Sequence, residues 1–251
     1  MNDRRSDHRV RQVIPGKKDG MKSLDLFSCI GCHAIGFARA GIETVAFCEA
    51  RPERRDLIRR KFPGVEIYDD VRDGFWDVPL TDIVIGGPPC QQTSGAAAIH
   101  GKRTGESLWP YMLNAGLCAH AEWFVVEQPP GNPIWESEVC KSLSGAGRHV
   151  AKFEFGACDV GAPYLRRRVF MVACTSLPRL EIARLALPSA IEAVKRAADA
   201  RGDWDPQIEA PGDSNPPHMA EAIGRAIMNA SGTNPSSFRD RPPTKYHGDG
   251  G

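Results

Sequence analysis

Residues Ser23–Ala40 read S-L-D-L-F-S-C-I-G-C-H-A-I-G-F-A-R-A. Ser23–Phe27 is short and mostly apolar, as a buried strand requires, and the small-residue turn around Gly31 leads into a helical stretch, Ala34–Ala40. The unit then repeats. Thr44–Phe47 predicts a second strand, and Pro52–Lys61 a helix with proline in its first turn. Val65–Tyr68, Asp82–Ile85, Trp123–Glu127, Lys152–Phe155 and Val169–Ala173 predict further strands, with a helix at Leu108–Ala119. Strands that alternate with helices and are apolar along their length belong to a parallel sheet covered on both faces. The expected class is therefore α/β, a mostly parallel sheet with helices on both sides. The order of its strands is not readable from this pattern.

In such sheets ligands gather at the carboxyl ends of the strands. Four polar or glycine-rich clusters fall there, at 28–32, 49, 86–94 and 127–132. Beyond Ala173 the chain is rich in Ala, Leu and Arg, with a helix expected at Ser189–Arg201. A Gly/Pro turn at Ala210–Pro217 precedes an amphipathic helix at Met219–Asn229. The expected organisation is a flexible basic extension at 1–20, either an arm or an upstream start, an α/β unit at 21–175, a segment of different character at 176–211 and a helical segment at 212–230. The stretch 231–251 is expected to be a disordered tail poor in apolar residues.

The 251 residues carry 32 Lys and Arg against 31 Asp and Glu, a net charge of +1, so no strongly basic balance announces a polyanion partner. The basic residues nonetheless bunch at 4–11, 51–61, 102–103 and 166–168. Any one such run reads as a solvated face or as a phosphate contact. No apolar run approaches a membrane span of roughly 20 residues, and the amino-terminal stretch has no apolar core for a secretory signal. Eight cysteines are too dilute for a disulfide scaffold, which makes reduced thiols in the cytoplasm the expectation.

Two clusters carry chemistry. Asp25–Cys32, D-L-F-S-C-I-G-C, is a strand entering a small-residue turn and a helix, where backbone amides approach a ligand closely. Glu49, past the second strand, is placed to hydrogen-bond ribose hydroxyls. The pair fits a nucleoside cofactor, a nicotinamide dinucleotide or S-adenosylmethionine. Cys29 and Cys32 make a C-x-x-C beside a β-α unit, either a redox pair or two small turn residues. The second cluster, Gly86–Ser94, is G-G-P-P-C-Q-Q-T-S. Cys90, rigidly presented after two prolines, is a packed thiol or a nucleophile. Glu127, ending W-F-V-V-E against an apolar wall, offers an acid at the next strand end.

These motifs, in this order, resemble the cytosine-C5 DNA methyltransferases, and the likeness runs from Met21 to Asn229. The resemblance implies a Rossmann-like, S-adenosylmethionine-dependent methyltransferase fold. It assigns S-adenosyl-L-methionine to Phe27, Ser28, Cys29, Ile30, Gly31, Glu49, Ala50, Asp70, Val71, Gly87, Pro88, Asp213 and Ser214. Phe27 would stack on adenine, Glu49 hold the ribose, and Asp70 of Y-D-D-V meet the adenine amino group. P-P-C-Q carries the nucleophile, Cys90, and Glu127 matches the family's Glu-Asn-Val acid. Arg166 and Arg168 of P-Y-L-R-R-R match its arginine strand, and Gly212–Ile227 resembles its closing helix. Cys90, Glu127, Arg166 and Arg168 are thus the expected catalytic set, with Gln91, Ser94, Lys102, Arg103 and Arg166 on nucleic acid.

The sequence departs from the family pattern at Cys29 and Cys32 (usually Gly), at Gln128–Pro129 after the acid, at Tyr164, and at Asp213 and Asn215. Only about forty residues separate Ala173 from Gly212, where relatives hold a recognition domain, so short or relaxed sequence specificity is expected. The implied reaction adds the Cys90 thiolate to C6 of a flipped cytosine, Glu127 holding N3 and the exocyclic amine and Arg168 the O2. The segment 95–107 would close over the base. The expected partner is double-stranded DNA, bound by a monomer with no metal and no membrane. RNA as substrate, and a nucleic-acid-binding homologue without activity, are the alternative readings.

Overall fold

The computed structural model describes residues 20–74, 77–89, 107–203 and 216–232. Cys90, Gln91, Ser94, Lys102, Arg103, Asp213 and Ser214 lie outside the described residues, as do the extension at 1–19, the 95–106 loop and the tail from 233.

Seven strands form one sheet: β1 (Lys22–Leu26), β2 (Glu43–Cys48), β3 (Glu66–Tyr68), β4 (Ile83–Gly86), β5 (Trp123–Gln128), β6 (His149–Gly156) and β7 (Arg167–Cys174). Their order is β3-β2-β1-β4-β5-β7-β6. Only β7 runs against the rest, pairing antiparallel with both β5 and β6. The order reverses between β1 and β4, and the carboxyl ends of β2, β1, β4 and β5 lie side by side. That is the switch point at which open α/β sheets bind ligands.

Helices α1 (Cys32–Arg39), α2 (Pro52–Lys61), α3 (Trp109–Cys118), α4 (Pro133–Gly145), α5 (Leu177–Arg201) and α6 (Pro217–Ala230) cover the sheet. Alternation along the strands divides the core. Ile83, Ile85, Trp123, Val125, Phe170 and Val172 face α5 and α6. Val84, Phe124, Val126, Val169 and Met171 face Trp109 and Met112 of α3 and Val139 and Leu143 of α4. Helices α1 and α6 pack almost backbone to backbone: a Cβ on Gly36 would stand 2.1 Å from the Pro217 carbonyl oxygen.

Two helices depart from the sequence-based expectation. Residues 133–145, left without an element, form α4, with the Asn132 side chain accepting from the Trp135 amide and Pro133 in its first turn. The helix expected at Ser189–Arg201 begins twelve residues earlier, at Leu177. Pro188 sits inside it, removing only one amide, while Leu180, Ala183, Leu187, Ala190, Val194 and Ala198 stay buried along its length.

Candidate active site

The cofactor-type turn is held by a carboxylate. After β1 the chain takes left-handed backbone at Phe27, Cys29 and Gly31 (φ 56°, 53° and 79°), which folds 27–31 tightly over the strand end. The buried Glu49 fixes that turn. Its Oε2 accepts from the Cys29 amide at 2.8 Å and its Oε1 from the Arg51 amide at 3.0 Å. It thereby stands between the amino-terminal ends of α1 and α2, where a negative charge is stabilised. The Ser28 hydroxyl donates to the Asp25 carbonyl at 2.6 Å, and its amide bonds the Cys48 carbonyl at 3.1 Å. Lys61, at the far end of α2, reaches the Ile30 carbonyl at 3.3 Å.

Asp70 follows β3, and its carboxylate is already engaged. Oδ1 accepts from the amide and Nε of Arg72, each at 2.9 Å, and Oδ2 from Nη2 at 2.5 Å. This hydrogen bonding holds the Asp70 carboxyl below its usual range. Val71 opens the short 3-10 turn that follows, with its side chain buried. An adenine amino group would share an acceptor that Arg72 already uses.

Glu127 and the approach to P-P-C-Q meet at the ends of β4 and β5. A Cβ on Gly87 would lie 2.7 Å from Glu127 Oε2, so any side chain there would push the carboxylate aside. Glu127 Oε1 is 2.7 Å from Arg168 Nε. Burial pushes the Arg168 guanidinium down in pKa, and Glu127 opposes that shift. Gln128 donates from Nε2 to the Pro88 carbonyl. Arg166 takes left-handed backbone (φ 27°) at the entrance to β7. Arg167, between them, turns outward to Glu154.

The structure therefore brings together Phe27, Ser28, Cys29, Ile30, Gly31, Glu49 and Ala50 at one end, and Gly87, Pro88, Glu127 and Arg168 at the other. Three residues go unread in the sequence. Gln128 is visible there only as a motif departure. His33 is the second residue of α1, its Nδ1 3.3 Å from Oδ1 of the fully buried Asp25. Burial disfavours the His33 cation, yet the bond and charge of Asp25, with the charge of Glu127, carry its pKa above the ordinary value. Arg55 reaches back from α2 to the Glu49 and Ala50 carbonyls. Cys48, buried beneath the carboxylates of Asp70 and Glu49, has its thiol pushed up to about 12 and is no nucleophile at neutral pH.

Comparison with known proteins decides the family. The profile of the C-5 cytosine-specific DNA methylases matches residues 21–193. The chain belongs to this family. It is 31% identical to the Type II methyltransferase M2.BsuMI of Bacillus subtilis over 165 residues, 61% of this chain and 42% of that one. It is 28% identical to M.FnuDI of Fusobacterium nucleatum over 193 residues, 74% of this chain and 55% of the other. The chain thus spans about half the length of these relatives. Among solved structures it resembles a triple mutant of Spodoptera frugiperda DNMT2 (TM-score 0.51, 19% identity, 62% of this chain and 51% of that one). An E. coli prophage protein assigned as a DNA modification methyltransferase gives TM-score 0.51 at 23% identity, over 61% of this chain and 46% of its own. Both likenesses are of fold, and family and fold together imply use of S-adenosylmethionine. Among the described residues, no helix is long and apolar enough to cross a membrane, and no group of three or more His, Cys, Asp or Glu is placed to hold a metal ion.

Proposed function

We propose that this chain is a DNA (cytosine-5-)-methyltransferase acting on a cytosine flipped out of a duplex, with Cys90 as nucleophile and Glu127 as acid. The observation that carries the reading is the contact between Gly87 and the Glu127 carboxylate. The turn leading into Cys90 and the acid of the next strand meet at one place, as an attack on a protonated pyrimidine requires.

The cofactor reading rests on donor chemistry. Asp25 is fully buried and its Oδ2 has no hydrogen-bond partner among the described residues, an arrangement suited to the ammonium group of an amino-acid ligand. Glu49 and Ala50 lie at the adjoining strand end, with Phe27 in the turn beside them. When bound, S-adenosylmethionine supplies an electrophilic methyl group. Cys90 adds to C6, which makes C5 electron-rich, while Glu127 donates to N3 and withdraws charge from the ring. Arg168 holds Glu127 in place through their 2.7 Å contact and offers its remaining donors to the cytosine O2. Loss of the C5 proton to water then expels Cys90. Arg166, Lys102, Arg103, Gln91 and Ser94 complete the reading as contacts to DNA, and Asp213 and Ser214 as part of the cofactor site. Residues 21–175 form the catalytic unit, 176–211 the reduced recognition segment and 212–230 the returning helix.

A duplex containing 5-fluorocytosine tests the proposal, because fluorine blocks release of the thiol. The protein with S-adenosylmethionine should form a covalent complex stable to denaturation, and Cys90→Ala should form none. Capture on tRNA but not on duplex DNA would move the substrate to RNA. Capture on neither would leave a binding protein.

A further inference from the structure

One cation of the basic helix α2, Arg55, turns back toward the strand ends. Arg55 lies one turn into the helix with its side chain only 13% exposed. Its Nη1 donates to the Glu49 carbonyl at 3.0 Å and to the Ala50 carbonyl at 2.8 Å, and its Nε lies 3.1 Å from Asp69 Oδ1. One planar guanidinium therefore spans the turn after β2 and the turn after β3. A lysine point charge cannot reproduce that three-way geometry.

The two carbonyl bonds set the direction of the peptide planes. In a trans peptide the C=O and the following N–H point opposite ways. Drawing the Glu49 and Ala50 carbonyls down onto Arg55 therefore turns the Ala50 and Arg51 amides to the far side. The Arg51 amide is found there, on Glu49 Oε1 at 3.0 Å. The Ala50 amide is delivered to that same side, and the Glu49 carboxylate reaches from it to the Cys29 amide at 2.8 Å.

We propose that Arg55 is the positioning residue of the nucleoside end of the cofactor site, aiming the 49–50 turn and tying it to Asp69 beside the adenine-facing loop. This rests on the cofactor reading above. Arg55 touches no reacting atom, so its loss weakens nucleoside binding and leaves turnover intact.

The test is calorimetric titration of the wild-type chain, Arg55→Lys and Arg55→Met with S-adenosylhomocysteine and, separately, with adenosine. Arg55→Met should bind S-adenosylhomocysteine about tenfold or more weakly and lose affinity for adenosine by a similar factor, while Arg55→Lys recovers to about threefold below wild type. Turnover at saturating cofactor should stay within about twofold of wild type. Should Arg55→Met fail to fold by circular dichroism, the loss in folded Arg55→Lys carries the test. A folded Arg55→Met that binds like wild type, or a lowered melting temperature with no change in affinity, overturns the inference alone. A wild-type chain that does not bind S-adenosylhomocysteine overturns the cofactor reading and this inference together.

Discussion

Gln128 donates from Nε2 to the carbonyl oxygen of Pro88, while the residue before it, Glu127, lies against Gly87. Successive side chains of a strand point to opposite faces. The last two residues of β5 therefore hold the 87–88 turn from two sides, one through a hydrogen bond and one through its carboxylate. Pro88 and Pro89 fix the backbone dihedrals that follow and donate no amide bonds of their own. The turn leading to Cys90 depends on its neighbours for anchorage, and Gln128 is the side chain that supplies it.

Gln128→Met keeps the length of the side chain and removes the donor. A buried carbonyl left without a donor costs about 1–3 kcal/mol. If the turn relaxes to recover it, covalent capture on a 5-fluorocytosine duplex should slow by about tenfold or more. Binding of adenosine should stay unchanged, because Glu49 and the nucleoside end lie three strands away from β5. Capture at the wild-type rate would show that the turn holds its shape without the bond.

Gly87→Ala tests the other half of the grip. The new methyl carbon would stand 2.7 Å from Glu127 Oε2, closer than real contacts allow, so the carboxylate must swing and weaken its 2.7 Å contact with Arg168. Turnover should fall by about a hundredfold, as expected when a catalytic group is displaced by an ångström. The effect should not add to that of Glu127→Gln, since both damage the same group. Steady-state rates of the two single variants and the double variant check this. Additive losses would separate Gly87 from the acid.

Much of this arrangement is legible in the sequence, and the remainder has a definite physical origin. The runs at Ser23–Phe27, Asp82–Ile85 and Trp123–Glu127 identify the central strands, because a strand buried on both faces is mostly apolar along its length. Placing 28–32, 49, 86–94 and 127–132 at strand ends already assembles the site's framework. Helix α4 is hidden in the sequence although Trp135, Val139 and Leu143 recur at helical spacing, because prolines at 129, 130 and 133 and glycines at 131 and 145 punctuate the stretch as a loop would. The start of α5 is masked in the same way by Pro178 and Pro188. The direction of β7 leaves no mark on its composition. Contacts such as Gln128 with Pro88, or Arg55 with Ala50, arise only when the sheet brings distant turns together, and neither residue type signals its partner in advance.

Among the described residues His33 and His218 are the buried histidines, and their pKa values should depart from the ordinary one in opposite directions. His33 is raised above 6.5: burial opposes its charge, but Asp25 and Glu127 overcome burial. Its contribution to stability is complete below pH 6.5 and is lost as pH rises through the raised value. His218 is lowered below 6.5, chiefly by burial and by the nearby Arg39 against the pull of Asp203. The unfolded chain then takes up that proton more readily than the native one, so His218 costs stability as pH falls through 6.5. Proton NMR should show His33 titrating above and His218 below the ordinary value. Asp25→Asn removes the first support of the His33 cation and should bring its pKa down, while leaving His218 where it was. Two histidines moving together would contradict the assignment of causes.

Glu221 provides a stability test at the junction of α1, α5 and α6. It is fully buried, with Arg225 donating to its Oε1 from Nε at 2.9 Å and from Nη2 at 2.8 Å. Arg39 and Arg201 each approach Oε2 at 3.8 Å, and both also pair with Asp203. Glu221→Gln keeps the shape and removes the charge, leaving Arg39 and Arg201 to Asp203 and Arg225 without its carboxylate. Deleting one member of a fully buried ion pair costs about 3–5 kcal/mol, but these arginines are each about a third exposed and recover part of that from water. The expected loss is therefore about 1–3 kcal/mol in urea unfolding. Arg225→Met should cost less, because Arg39 and Arg201 still face the carboxylate. Equal losses for the two variants would mean that the Arg225 pair alone carries the junction, with the 3.8 Å approaches contributing nothing.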